Sequence, residues 1–180
     1  MKGKSIVIFG YGSLINEDSL RKTVPSAKNI VPVRLQGYTR VFDFPSSTRL
    51  CEKSGKCCTV LNAFESKKDS SINGIIFEMD EEDLQNLIYR ETGYELIEVE
   101  VENYYDENVK IVAYFFKAPK YESNYFLFDS EKQMEYLDLC VEGCKIFGDE
   151  FLREFLETTY IENKSLREIF KEKDNLLFRD

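Results

Sequence analysis

One glutamate and one glycine-flanked tyrosine are the residues best placed to do chemistry in this chain. Glu91 stands in the run Arg90-Glu91-Thr92-Gly93-Tyr94, where a helical pattern gives way to a strand. Leu84, Leu87 and Ile88 recur at helical spacing, and Glu91 lies three and four residues beyond the last two. It therefore projects from the same apolar face, toward the interior. A carboxylate there is costly to bury unless it is paired or functional, and burial raises its pKa toward the range useful for proton transfer. The ordinary alternative is an ion pair with Arg90 or a solvated helix end.

The second candidate is Gly10-Tyr11-Gly12-Ser13-Leu14, directly after the apolar run Ser5–Phe9. Two glycines around Tyr11 let the backbone turn sharply and approach a ligand closely. Successive amides exposed in such a turn suit a carboxylate. A dinucleotide fingerprint needs a third glycine where this chain has Ile15, so that reading fails. The plainer alternative is a simple strand-to-helix turn.

The chain has no histidine. That excludes Ser-His-Asp and Cys-His nucleophilic catalysis, histidine-ligated metals and the usual neutral-pH proton shuttle. Ser13 has no histidine base and is set aside as a nucleophile. Proton transfer near neutrality must fall to a carboxylate, Tyr, Lys or Cys. Glu95, Glu98, Glu100 and Glu102 alternate with apolar residues and read as the wet face of a strand. Arg34 and Arg40 could bind an acid, although the surface is the ordinary place for an arginine.

The five cysteines are Cys51, Cys57, Cys58, Cys140 and Cys144. An odd number without a secretory signal fits a cytoplasmic protein with reduced thiols. Neither CxxC spacing nor histidine supports zinc. Cys140 and Cys144, one helical turn apart, read as small core residues. The net charge of -9 argues against a nucleic-acid partner. No apolar run approaches the roughly 20 residues of a membrane span, and the short run after Lys2 and Lys4 fits a first strand better than a signal peptide.

The elements that must hold these candidates are a mixture. Strands are expected at Ser5–Phe9, Val31–Phe44 with a bulge or bend at Gly37, Cys58–Ala63, Gly74–Met79, Tyr94–Val101 and Val109–Phe116. Asn16 or Asp18 is expected to cap a short helix holding Leu20, and Asp80 to cap the helix before Glu91 with Asp83 in the capping-box position. Residues 46–56 read as a surface loop. From Asp129 the pattern is helical to the end, with apolar stripes through Met134, Leu137, Val141 and Ile146, then Phe151, Phe155, Ile169 and Phe170. About six strands followed by a helical C-terminal third imply one α+β domain over residues 1–180, whose strands could close into a small barrel.

In order and spacing, FGYGSL, then RLQGYTRVF, then NGIIFEMDEEDLQNLIYRETGYELIEVEV resemble the γ-glutamylcyclotransferase-like family. EYLDLCVEGCKIFGDEFLREFLETTYI resembles the helical tail of its bacterial members. The resemblance implies a small mixed β-barrel of about six strands flanked by helices, with a pocket at the barrel mouth. It implies that the turn Tyr11-Gly12-Ser13-Leu14 offers amides to a γ-glutamyl group, that Glu91 is the acid/base, and that Tyr136 contributes a hydroxyl. There are departures. Many members have Leu-Asp before the glutamate, where this chain has Leu87-Ile88-Tyr89, and residues 46–68 do not match the glutathione-specific branch.

The implied reaction is release of 5-oxoproline and an amine or amino acid from a γ-glutamyl compound, with no metal or organic cofactor. The α-amine attacks the γ-carbonyl of its own residue, so the enzyme mainly holds the reactive conformer. One carboxylate with a raised pKa serves both proton transfers. Two other readings fit the same residues: a γ-glutamylamine cyclotransferase or a tailoring enzyme that removes a γ-glutamyl protecting group, and a non-catalytic γ-glutamyl-binding or regulatory module.

Overall fold

The computed structural model describes residues 3–122 and 125–171. Strand β1 (Ser5–Gly10) leads through a 3₁₀ turn at Ser13–Ile15 into α1 (Glu17–Thr23). Then come β2 (Lys28–Gln36), β3 (Tyr38–Leu50), β4 (Cys57–Glu65) and β5 (Ser71–Asp80). A second 3₁₀ turn, Glu81–Asp83, opens α2 (Leu84–Arg90), which is followed by the hairpin β6 (Glu95–Asn103) and β7 (Lys110–Lys117). The remainder holds α3 (Glu131–Lys145), α4 (Asp149–Glu157), a short hairpin of β8 (Thr159–Ile161) and β9 (Lys164–Ser165), and α5 (Leu166–Lys171). Among the described residues no helix is long and apolar enough to cross a membrane.

Strands β1, β5, β2, β6 and β7 close into a barrel. A parallel contact of β1 with β7, at Ile8 and Tyr114, completes a ring whose other neighbours are antiparallel. Closure removes the unpaired edges that a small sheet would otherwise expose. A second sheet, in the order β4-β3-β8-β9, packs beside it. Strand β5 is buried from Ile72 to Phe77, because α4 and β3 lie against it as well as its barrel neighbours. This explains why its sequence is nearly unbroken apolar residues. The expected α+β fold with a mixed barrel is what forms, with five barrel strands in place of six and with Cys58–Ala63 in the second sheet.

Four local expectations are corrected. Gly37 does not bulge a single strand: at φ +79 it separates β2 from β3 and sends the chain from the barrel to the second sheet. Residues 46–56 are not simply a surface loop, since β3 runs on to Leu50 and pairs there with Cys57. A register shift between Pro45 and Leu50 bulges this part of β3, and Ser46 and Cys51 are buried. The helical third is interrupted by the β8–β9 hairpin, where Glu162 takes a positive φ in the turn. Ile146 is exposed instead of closing the α3 stripe. The helical reading of residues 172–180 lies outside the described residues.

Helix caps explain how the candidate residues are carried. Asn16 Oδ1 accepts from the Ser19 amide at 3.1 Å and so caps α1. Its Nδ2 donates to the Leu139 carbonyl of α3 at 3.1 Å. Asp80 makes no side-chain cap, and Asp83 instead accepts from the Ser26 amide at 3.0 Å and the Ser26 hydroxyl. Leu137, Cys140, Val141 and Cys144 bury one face of α3. A Cβ at Gly143 would lie 2.6 Å from the Asn16 nitrogen, so only glycine lets α3 press this closely on the chain after β1. That contact puts Tyr136 behind the first turn.

Candidate active site

The barrel mouth opens into a cavity of about 560 Å³. The turn after β1, the end of α2, the bulged part of β3 and Tyr136 of α3 all line it. Tyr11, Gly12, Ser13, Leu14, Glu91 and Tyr136, expected from the sequence and its resemblance to form the site, are on this wall, whereas Arg34 and Arg40 are not.

The turn is shaped by close approach. A Cβ on Gly10 would meet the Leu14 Cβ at 2.7 Å, and one on Gly12 would lie 3.2 Å from Tyr136 Oη and 3.4 Å from Leu61. Ser13 and Leu14 open the 3₁₀ turn, so their N–H groups have no carbonyl within it to bind. The Tyr11 ring faces the core against Phe9 and Phe115, and its hydroxyl donates to the Phe116 carbonyl at 2.6 Å. The Tyr11 hydroxyl is therefore engaged within the protein. The Tyr136 hydroxyl accepts from the Leu61 amide at 3.1 Å.

Glu91 follows the last turn of α2, with its amide bonded to the Leu87 carbonyl at 3.0 Å. Of the two residues used to orient it, Leu87 is fully buried whereas Ile88 is 41% exposed. The i+4 relation to Leu87 is the one that turns Glu91 inward. Its side chain keeps 16% of its surface exposed and makes no hydrogen bond among the described residues. Burial pushes its pKa up to about 7, against a smaller downward pull from Arg90. The plain alternatives hold only in part: little of the side chain is exposed, and Arg90 Nε forms an ion pair with Oε1 at 3.7 Å that is too long for a hydrogen bond.

The Arg90 guanidinium is engaged elsewhere. Nη1 donates to the Ser19 carbonyl at 2.7 Å and Thr23 Oγ1 at 3.0 Å, and Nη2 to Ser19 Oγ at 2.9 Å and Ser13 Oγ at 3.0 Å. One side chain thus touches α1, the first turn and the neighbourhood of Glu91.

Sequence reasoning missed two supports. Arg40 is fully buried. It donates to the Tyr11 carbonyl at 3.0 Å and the Asn73 carbonyl at 2.6 Å, and to Thr159 Oγ1 at 2.7 Å, and its guanidinium lies 4.1 Å from the centre of the Phe155 ring. Burial pulls its pKa down to about 10. It braces the back of the turn and does not bind an acid. Arg34 does bind one, Glu154, at 2.7 Å, away from the cavity. The second missed support is Tyr94, which stacks on Phe44 at 4.3 Å and donates to the Leu61 carbonyl at 2.8 Å. The signal was the glycine before it. Gly93 has φ +95, and a Cβ there would meet Phe44 at 2.7 Å.

The cysteines are all free, and no group of three or more metal-ligating side chains occurs among the described residues.

The model of the ChaC-like protein family matches residues 6–171. The chain belongs to the ChaC-like family. Among curated proteins none matches it significantly. Solved structures do. A structure titled γ-glutamyl cyclotransferase superposes with a TM-score of 0.70 at 19% identity, covering 94% of this chain and 99% of that one. An uncharacterised Homo sapiens protein gives 0.68 at 21%, covering 93% and 98%. A yeast γ-glutamyl cyclotransferase described as specific to glutathione gives 0.62 at 15%, covering 87% and 96%. At these identities the likeness is one of fold. It is the γ-glutamylcyclotransferase-like fold that the sequence resemblance implied, now on a member of the ChaC-like family.

Proposed function

We propose that this protein is a cofactor-independent γ-glutamylcyclotransferase, with Glu91 as acid and base. The observation that carries the reading is a buried carboxyl with a pKa near 7, without a hydrogen-bonding partner among the described residues, on the wall of a cavity shared with the glycine-flanked turn. Family membership and the fold of the relatives support it.

The N–H groups of Ser13 and Leu14 bind the γ-glutamyl unit or the oxyanion that develops on its γ-carbonyl, and one such donor contributes on the order of 3 kcal/mol. Ionised Glu91 takes a proton from the α-ammonium. The freed amine attacks the γ-carbonyl, a C–N bond forms in the five-membered ring, and the bond to the departing amine breaks as the attacking nitrogen sheds its second proton, so that the amine finally leaves as an ammonium ion. Protonated Glu91 then gives that amine its proton, which restores the carboxylate. A group with a pKa near the working pH performs both transfers efficiently. A tethered nucleophile leaves the protein mainly the task of holding the reactive conformer.

Among the rival leaving groups, the cavity favours one that carries a carboxylate. Arg49 and Lys22 line it, and neither makes an ion pair among the described residues. The Arg49 guanidinium sits 5.3 Å from the centre of the Tyr136 ring. A γ-glutamyl amino acid or peptide is therefore the favoured substrate over a γ-glutamylamine. The test is a panel of γ-glutamyl amino acids, peptides and amines, followed by 5-oxoproline detection with the wild type and Arg49→Met. The expected result is turnover of the carboxylate-bearing members, with KM rising on the order of tenfold in the variant. Binding of the panel without 5-oxoproline over hours would leave a non-catalytic module instead.

A further inference from the structure

Arg90 lies beside the proposed acid/base, yet its strongest bonds go to other elements. Its two terminal nitrogens reach Ser13 in the first turn and Ser19 and Thr23 on α1 through four hydrogen bonds of 2.7 to 3.0 Å. Its Nε faces Glu91 Oε1 at 3.7 Å. A planar guanidinium can satisfy this divergent set in one rotamer, which a lysine ammonium cannot. Helix α2 contributes little else to hold the cavity wall, because Leu87 is its one fully buried side chain and Tyr89 is 84% exposed.

We propose that Arg90 is a positioning residue that ties the Ser13 turn, α1 and Glu91 into one unit and keeps a positive charge at a fixed, non-hydrogen-bonding distance from the Glu91 carboxyl. This rests on the cyclotransferase reading for its kinetic consequences, though not for its electrostatic ones. Held at 3.7 Å, the charge moderates the effect of burial through a long ion pair, without the direct hydrogen bonds that would hold the carboxyl ionised. The other titratable groups on the cavity wall are Tyr11, Tyr89, Tyr94 and Tyr136, together with Arg49 of β3 and Lys22 of α1, while Asp43 of β3 acts on Tyr11 and Tyr94. Tyr11, Tyr94 and Tyr136 are held neutral, above all by burial. Arg90 is the charge that acts on Glu91.

The test is a carbon-13 NMR titration of the Glu91 carboxyl in the wild type, Arg90→Met, Arg90→Lys and Ser13→Ala. It is run beside pH profiles of kcat/KM and thermal melting. In Arg90→Met the Glu91 midpoint and the rising limb of kcat/KM both move to higher pH, and kcat/KM at pH 7 falls on the order of tenfold. Arg90→Lys keeps the charge but loses the span, so its midpoint stays nearer the wild type while KM rises. Ser13→Ala removes one anchor and raises KM with the midpoint unmoved. A lower melting temperature with unchanged midpoint, limb and KM makes Arg90 a structural clamp only and overturns the proposal. If Arg90→Met does not fold, unchanged KM in both Arg90→Lys and Ser13→Ala overturns it equally. If the wild type releases no 5-oxoproline, the cyclotransferase reading falls, while the NMR midpoint still decides the role of Arg90.

Discussion

Two glutamates in this molecule expose similarly little side-chain surface and stand beside an arginine, yet they behave in opposite ways, and Glu91 is the more deeply set. Glu154 on α4 has a side chain 19% exposed, and Glu91 one 16% exposed. Burial raises the pKa of both. At Glu154 that push is outweighed by hydrogen bonds from Arg34, bidentate at 2.7 and 2.9 Å, and from Tyr104 at 2.8 Å, so the pKa falls below the usual value. At Glu91 the arginine is 3.7 Å away and hydrogen-bonded elsewhere, no donor among the described residues hydrogen-bonds the carboxyl, and burial wins. The difference is made chiefly by aimed donors, to which the nearby charges of Arg34 and Arg40 add, since a hydrogen bond to the ionised form is what first offsets desolvation. One pair fastens α4 to the barrel. The other leaves a proton site free inside a cavity.

The largest effect that sharpens this contrast is on turnover. Glu91→Gln keeps the size of the side chain and removes the proton site, so 5-oxoproline release should drop by a factor of about 10²–10⁴. Wild-type kcat/KM should rise with pH through about 7, since the first step needs ionised Glu91. Unchanged turnover in the glutamine variant removes Glu91 from its role.

The same substitution should help stability, in a pH-dependent way. Glu91 binds its proton more tightly folded, near pH 7, than at its ordinary value of 4.5. Its contribution is therefore fully present below pH 4.5 and is lost as pH rises through about 7. At pH 8.5 the wild type carries an ionised buried carboxylate that costs up to roughly 3 kcal/mol, from a displacement of 4.5 to about 7 at ~1.4 kcal/mol per pH unit. Denaturant melts should find Glu91→Gln more stable than wild type at pH 8.5, with the gap shrinking toward pH 5. Equal stabilities at both pH values would mean that water reaches the carboxyl freely.

Much of this site could be read from the chain. Glycines at positions 10 and 12 announced a turn of close approach, and the spacing from Leu87 turned Glu91 inward. The absence of histidine left a carboxylate as the first choice for proton transfer. What could not be read depends on partners distant in sequence. Arg40 looks like an ordinary strand arginine until Asn73, Thr159 and the Tyr11 carbonyl are assembled around it. The division of the strands between barrel and second sheet hinges on Gly37, whose positive φ and bend residues 31–44 do not distinguish from a bulge. The β8–β9 hairpin is too short to show a period. For the two glutamates, sequence places Arg90 beside Glu91 but not the direction in which its nitrogens point, and it gives no sign that Arg34 meets Glu154.

At Glu154 the expected effects run the other way. Glu154→Gln keeps the shape but removes the charge that Arg34 and Tyr104 bond to, and should destabilise the fold by about 1–2 kcal/mol near neutral pH. A group with a depressed pKa contributes stability that is present above its ordinary value and is lost on acidification. The difference between wild type and variant should therefore close as pH falls below about 4, read by chemical denaturation across pH. Turnover per folded molecule should stay the same, because neither Arg34 nor Glu154 lines the cavity. A loss of kcat in the folded variant would join the two regions and break the contrast.

The smallest effect isolates a single donor. Tyr104→Phe deletes the 2.8 Å bond to Glu154 and keeps the ring on which Arg34 stacks at 4.7 Å. Arg34 remains bidentate, so the carboxylate stays paired and the expected cost is about 1 kcal/mol. Because the hydroxyl bonds to the ionised form, the cost should be visible at pH 7 and smaller at acid pH, as Glu154 takes up its proton. The glutamate midpoint should move toward its ordinary value as well. If Tyr104→Phe instead costs the same at both pH values, the hydroxyl serves packing or solvation at that surface, and bidentate arginine alone is enough to hold a buried glutamate ionised here.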